Sequence, residues 1–425
     1  MRGSEAFDAR AGGTLARKVQ PAGPLDLLYV AYWSLRDPLC LSQSLPVVEA
    51  VAARGWRAAL MTFEQPPWAV PEAERDEVRG TLAARGVAWW PLPYHKQPAG
   101  LSTAWDVAAG TARAALAGRG LRLAQGRGTV AAAIAWSAAG LTGARFFNDS
   151  DSPLSEEYAD AGVWPRGSLR HRAAGAAERR FLRSADAIAV LTARRRDEAA
   201  PLARVPPVVL PCGVDTEHFA PRPQERDAVR RRLGLEGMVL VYAGKSGGWY
   251  ATGEMLDFAA AAAAALGPLA LLVLTAEPPA AFADGAAARG IRCVVARASR
   301  DEMPRYLAAA DAGLSFVLPL PSKRASSPVK NGEYLASGLP VVTTAGIGDY
   351  SELVARTRVG VVVPTLDGPG YTSAAAGLQH LLREPGLARR CREVARTEVG
   401  LHEVVIPRYL RLYAELLGPP PGETR

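Results

Sequence analysis

Two short stretches combine residue types that suit an anionic ligand. Gly244-Lys245-Ser246-Gly247-Gly248 follows the apolar run 238–243 and precedes an alanine-rich helical pattern. Glycines there let backbone approach a phosphate closely, and the helix that follows adds its positive dipole end. The spacing falls short of a full dinucleotide or P-loop fingerprint. The second stretch, S-S-P-V-K-N-G-E-Y-L-A-S-G-L-P-V-V, starts at Ser326. Lys330 falls in the first turn of its helical pattern, where a cation opposes the dipole. An anion in front of the helix explains that placement better than helix stability does. Glu333 lies one turn on, on the same face, and can accept hydrogen bonds from sugar hydroxyls. Lys245 and Lys330, in two strand-end loops of one expected sheet, are a more specific signal together than either alone.

The elements that must position these residues alternate strand and helix. An apolar strand at 27–31, a helix at 45–54 closed by Gly55, and a strand at 58–63 make a βαβ unit, which implies a parallel sheet. Further strands are expected at 87–91, 130–136, 144–147 and from Ala185. After a proline-punctuated segment the pattern restarts at 238–243, 269–274, 291–295, 313–317, 339–343 and 360–363. The expected fold class is therefore α/β, with two Rossmann-like halves. Gly338 stops the helix that carries Lys330. Ser299 and Glu302 form a capping box for a helix at 300–310. Run 258–276 is uncharged, but Gly267-Pro268 divides it into helix and buried strand and argues against a membrane span.

Ligands of parallel sheets sit beyond the carboxyl ends of the strands. That rule draws in the loop 32–43, with Ser42 and Gln43, and His95 beyond the strand at 87–91. It also draws in Asn148-Asp149-Ser150-Asp151 beyond the strand at 144–147. His95 can bind a hydroxyl or phosphate or be a loop histidine without a role. The acidic run either orients acceptor hydroxyls, through Asp149, or caps a helix through Asp151 or Ser152. The basic segment 166–183 reads either as an anionic membrane contact or as a solvated helix face.

The chain has 425 residues, enough for two substantial cores. Its formal charge of +8 favours nucleotide phosphates or an anionic membrane. No nucleic-acid-binding motif accompanies the charge. Four scattered cysteines, without a CxxC pair, read as free thiols in a reducing compartment. Residues 1–24 are polar and lack the apolar core of a secretory signal, so a disordered lead-in is expected there.

P-V-K-N-G-E-Y-L-A-S-G-L-P-V-V resembles the donor-binding segment of the family-four retaining glycosyltransferases, group 1 of the glycosyl transferases. V-V-L-P-C-G-V-D-T-E-H-F-A-P, from Val208, resembles that family's interdomain linker, with Cys212 where asparagine is usual. The resemblance implies the GT-B fold: two Rossmann-like domains facing across a cleft, and a last helix crossing back to the first domain. It places an acceptor-binding domain at 25–213, with the returning helix at about 404–425, and a nucleotide-sugar-binding domain at 214–403. It implies that Glu333 binds the donor ribose. It also implies that amides around Ser327 and Val329 hold the diphosphate, and that Lys245 contacts it. Ser42 and Gln43 then face the acceptor, with His95 and Asp149 as catalytic candidates. Ala325 stands where a second family glutamate reads the donor sugar, and Pro328 replaces a phosphate-loop glycine.

The implied activity is transfer of a hexosyl group from a nucleotide-diphosphate sugar to a hydroxyl acceptor, with retention. It belongs to bacterial polysaccharide, glycolipid or other glycoconjugate assembly. The acceptor is a carbohydrate, a lipid-linked glycan or a small molecule. No cofactor and no metal are expected, because the donor loops lack a DxD motif. The location is cytoplasmic, including the inner membrane face. Three other readings share the pattern: a GT-B sugar-nucleotide epimerase, a non-catalytic GT-B binding protein, and an NAD-linked oxidoreductase. The last is disfavoured by the missing full G-x-G-x-x-G.

Overall fold

The computed structural model describes residues 24–421. The expected lead-in lies outside the described residues except for Pro24, as do residues 422–425 of the returning segment. Among the described residues, thirteen strands form two sheets. The first contains β1 (Leu27–Ala31), β2 (Ala58–Glu64), β3 (Val87–Pro93), β4 (Leu123–Arg127), β5 (Arg145–Ser150), β6 (Ala187–Val190) and β7 (Val208–Val209). The second contains β8 (Met238–Ala243), β9 (Leu269–Leu274), β10 (Arg292–Ala296), β11 (Ala312–Ser315), β12 (Val341–Thr344) and β13 (Gly360–Val363). The strand orders are β3-β2-β1-β4-β5-β6-β7 and β10-β9-β8-β11-β12-β13. Every recorded pairing within these sheets is parallel.

Strand side chains alternate between faces, so each sheet builds two cores. Leu27, Tyr29 and Ala31 of β1 pack with the helices Leu45–Ala53 and Ile406–Leu417. Leu28 and Val30 pack on the other face with the helices Leu101–Ala115, Thr129–Thr142 and Leu169–Ser184. The last helix thus returns to the first sheet. The hydroxyls of its Tyr409 and Tyr413 donate to Asp149 at 2.7 Å and to Gln125 at 2.5 Å. The reading of 258–276 holds: a helix, Thr252–Leu266, ends before Gly267, and β9 follows. Among the described residues no helix is long and apolar enough to cross a membrane.

One expected strand is a helix. Residues 130–136 lie in Thr129–Thr142, and the strand is the preceding L-A-Q-G-R of β4. The run V-A-A-A-I-A-W is uniformly apolar, so alternation could not separate the two states. Alanine's helix propensity decides it, and Gly143, in the left-handed conformation, caps the end. β4 went unread because Gln125 and Arg127 look like surface residues, yet both are buried. Gly126 is required there: a β-carbon on it would stand 2.3 Å from the Ala131 carbonyl oxygen. A second difference concerns β5, which runs on through Asp149 instead of ending at 147. The capping box forms, with Ser299 N donating to Glu302 at 3.0 Å and Glu302 N to the Ser299 hydroxyl at 3.3 Å. The regular helix beyond it is only Met303–Leu307.

Candidate active site

The helix Val329–Ala336 is held by Tyr334, which is fully buried. Its hydroxyl accepts from Ala243 N of β8 at 2.8 Å. Its ring lies where a β-carbon on Gly313 of β11 would be only 2.2 Å away, so Gly313 makes the room. Tyr334 therefore fixes the helix start against the loop beyond β8, in register with Lys330 and Glu333.

The ammonium of Lys330 is buried and has no hydrogen-bond partner among the described residues. It lies 4.2 Å from the Tyr242 ring centroid and 4.9 Å from that of Tyr250. Cation–π attraction recovers part of the lost hydration, but three N–H donors remain unused. Burial pushes Lys330 down to about 7, partly opposed by Glu333. Burial pushes Glu333 up to about 7, against the pull of Arg300 and then of Lys330. A cation and a carboxylate held in such a poised state are a marker of a functional site.

Lys245 is exposed on the loop after β8. Its charge acts across the cleft on Asp37, in the loop after β1. The structure thus brings Gly244, Lys245, Lys330 and Glu333 to one region. Gly247 and Gly248 are exposed in the same loop, both with positive φ. Gly244 N donates to Leu274 O at 3.0 Å and Gly247 N to the Thr252 hydroxyl at 3.2 Å. These two glycines contribute shape, and their amides are already engaged. Val329 opens the helix after Pro328, as expected. The Ser327 hydroxyl accepts from Cys212 N at 3.1 Å and so ties the helix start to the linker.

The acceptor-side expectations need more correction. Gln43 is buried and grips Gly213, donating to its carbonyl at 2.9 Å and accepting from its amide at 2.8 Å. The buried Ser42 hydroxyl donates to Pro38 O at 2.7 Å. Both residues lie in a π-helical turn, Cys40–Ser44, and serve the joint between the halves. Asp149 is 1% exposed and accepts from Gln125 at 2.9 Å, Tyr409 at 2.7 Å and Arg127 at 3.3 Å. It is a structural carboxylate within the strand and cannot face an acceptor. Asp151, two residues on, is partly exposed, and burial lifts it to about 7 against the pull of Arg127. It stands 3.3 Å from the β-carbon position of Gly128. The helix that follows, Leu154–Asp160, starts without a side-chain cap, so neither Asp151 nor Ser152 caps it.

His95 sits beyond β3, as expected. Its Nδ1 is 2.5 Å from Asp106, whose carboxylate also accepts from His95 N at 3.1 Å and from the Tyr32 hydroxyl at 2.7 Å. The His95 side chain is 42% exposed while that of Asp106 is fully buried. Asp106 and Arg300 are the residues that reading the sequence missed. The available signal for Asp106 was a lone acid on the buried side of an alanine-rich helix. The two halves also meet at Lys323, which pairs with Glu157 at 2.7 Å and stacks 3.6 Å from the Trp249 ring. Ser322 N donates to Asp160 at 2.8 Å beside it. A cavity of about 490 Å³ is lined by Ser327, Thr192, Asp349 and Tyr350 and one of about 560 Å³ by Glu254, Asp257 and Tyr371; Lys330 lines neither.

Residues 239–383 match the family model described as Glycosyl transferases group 1. No curated protein matches the chain at the sequence level. The sucrose-phosphate synthase of Thermosynechococcus elongatus superposes with a TM-score of 0.69 at 16% identity, over 92% of this chain and 99% of that one. HepE of Anabaena, solved in complex with UDP-glucose, superposes at 0.65 and 15% identity, over 92% and 99%. WaaG, a glycosyltransferase involved in lipopolysaccharide biosynthesis, superposes at 0.62 and 17%, over 92% and 100%. The chain therefore has the GT-B fold, and the part of it that carries Gly244, Lys245, Lys330 and Glu333 matches the group 1 glycosyl transferases.

Proposed function

We propose that the chain is a glycosyltransferase that moves a hexosyl group from a nucleotide-diphosphate sugar to a hydroxyl acceptor. The observation that carries this reading is the unpartnered Lys330 ammonium, buried beside Gly244 and poised against Glu333. An uncompensated buried ammonium is costly unless a ligand pairs with it. A diphosphate in front of the helix start supplies that partner. As the glycosidic bond breaks, charge grows on the leaving diphosphate, and Lys330 and Lys245 stabilise it. Glu333 accepts from ribose hydroxyls. The two lysines provide the counter-charge without a metal, and no DxD pair stands in the donor loops. Attack from the leaving-group face gives retention and needs no glycosidase-type carboxylate pair.

On the acceptor side, Asp151 takes the orienting role that the sequence reading gave to Asp149. His95, held by Asp106, is the second candidate. Lys323 and Ser322 contact Glu157 and Asp160 of the other half, and closure of the halves over a bound donor excludes water as a competing acceptor. The acceptor is a carbohydrate or a glycan carrier in polysaccharide, glycolipid or other glycoconjugate assembly.

A thermal-shift titration with nucleoside diphosphates and their sugars tests the donor site, since a binder raises the melting temperature with its concentration. The Anabaena neighbour was solved with UDP-glucose, so uridine diphosphate sugars come first. Glu333→Ala and Lys245→Ala are expected to weaken the shift while the protein stays folded. Normal binding by both variants sinks the assignment. Donor incubated without acceptor must keep its sugar configuration, since conversion would indicate an epimerase.

A further inference from the structure

One face of the first sheet carries a surface that the transfer reaction does not use. Three helices lie side by side over it: Leu101–Ala115 packs on Thr129–Thr142, which packs on Leu169–Ser184. On the first helix, Leu101 is 73% exposed, Trp105 65% and Leu116, at its end, 80%. Their spacing, with exposed Ala108 and Ala112 between, places them on one stripe along the helix. Trp136 and Leu141 (67%) extend the apolar surface onto the second helix, and Leu169 (84%) starts the third. Buried faces of these helices already serve the core, so this second apolar face is surplus to folding.

The third helix adds charge. Arg172, Arg179, Arg180 and Arg183 are exposed, and none has an ion-pair partner among the described residues. The Arg180 guanidinium lies 5.8 Å from the Trp136 ring, which joins the basic strip to the apolar one. The acids of the three helices are withdrawn from this surface: Asp106 is fully buried, and Glu178 bonds to Ser155 at 2.7 Å and Thr129 at 3.1 Å.

We propose that this three-helix face docks on an anionic lipid bilayer. Leu101, Trp105 and Leu116 enter the headgroup–acyl boundary, and the arginines meet lipid phosphates. Charge complementarity selects this occupant. A second copy of the chain docked through the same face would set arginine against arginine, because the face lacks any acid. The first helix begins on the cleft side of the sheet, just beyond His95. An acceptor held in the bilayer would therefore reach the cleft rim along this face.

Co-sedimentation of the full chain with vesicles tests the proposal independently of any transfer activity. Binding is expected to phosphatidylcholine vesicles containing phosphatidylglycerol, weakly to phosphatidylcholine alone, and to decline with salt. Leu101→Ser with Trp105→Ser should abolish it, and Leu116→Ser with Leu141→Ser serves if that pair fails to fold. Arg180→Gln and Arg183→Gln should each lower the partition coefficient about fivefold. No binding to the anionic vesicles at low salt overturns the proposal. So does binding that the apolar and arginine variants leave unchanged. A dimer in solution that dissociates in the Leu101→Ser, Trp105→Ser protein would assign the face to a second copy instead.

Discussion

The ammonium of Lys330 lies 2.7 Å from the point where a β-carbon on Gly244 would stand. The same point is 3.0 Å from the Tyr242 hydroxyl. Only glycine lets the loop beyond β8 close over the lysine. Gly244→Ala should displace the ammonium and lower the affinity for a nucleoside diphosphate about tenfold, or roughly 1.4 kcal/mol. Calorimetric titration with UDP checks this, and unchanged affinity would place the phosphates elsewhere.

Proton linkage gives a second test. Lys330 is held down near 7, so at pH 8 most of it is neutral in the free protein. A bound diphosphate favours the charged form. Binding at pH 8 is therefore expected to take up a proton, and affinity should weaken as pH rises above 7. Calorimetry in buffers of different ionisation enthalpy measures the uptake. Lys330→Met should remove it.

The same pair shapes stability. Glu333, raised to about 7, binds more protons folded than unfolded between its ordinary value and 7. Its contribution is present at low pH and is lost as pH rises through 7. Lys330, lowered to about 7, binds fewer protons folded than unfolded above 7, so its penalty is relieved as pH rises. Together they predict a dip in unliganded stability near pH 7. Lys330→Met should stabilise the unliganded protein there by about 1–3 kcal/mol. Denaturant unfolding across the pH range reads both effects.

Asp149 and Asp151 should separate cleanly. Asp149→Ala leaves Arg127 buried and unpaired, at a cost of about 3–5 kcal/mol of stability. Tyr409→Phe, which removes one buried hydrogen bond to Asp149, should cost about 1–2 kcal/mol and spare activity. Asp151→Asn should neither destabilise the fold nor weaken UDP binding, yet lower turnover by about 10²-fold. Turnover should rise with pH as Asp151 ionises near 7, and the variant should flatten that limb. A pH–rate profile beside melting curves distinguishes these roles.

The second half of the chain was the more legible in sequence. Its inner strands β8, β9, β11 and β12 are buried almost along their whole length, and Gly267 and Gly338 end its helices where local rules place the breaks. Gly244 and Lys245 follow a strand end, Lys330 lies in the first turn of its helix and Glu333 one turn on; local sequence decides the backbone at such places, and the family resemblance supplied the roles. The first half was less legible. Gln43, Ser42 and Asp149 carry the right chemistry for a cleft, but their partners, Gly213, Pro38 and Tyr409, decide what that chemistry does.

Local pattern thus determined the alternation of strand and helix, the two parallel sheets and the cationic loops, because these depend on neighbours a few residues apart. Only tertiary packing decided that Asp149 is locked by Gln125, Arg127 and Tyr409, and that His95 leans on Asp106. It alone gathered the apolar stripe of one helix and the arginines of another on a single face. Those outcomes rest on contacts between segments far apart in the chain, and a polar side chain keeps the same letter whether burial silences it or a cleft exposes it.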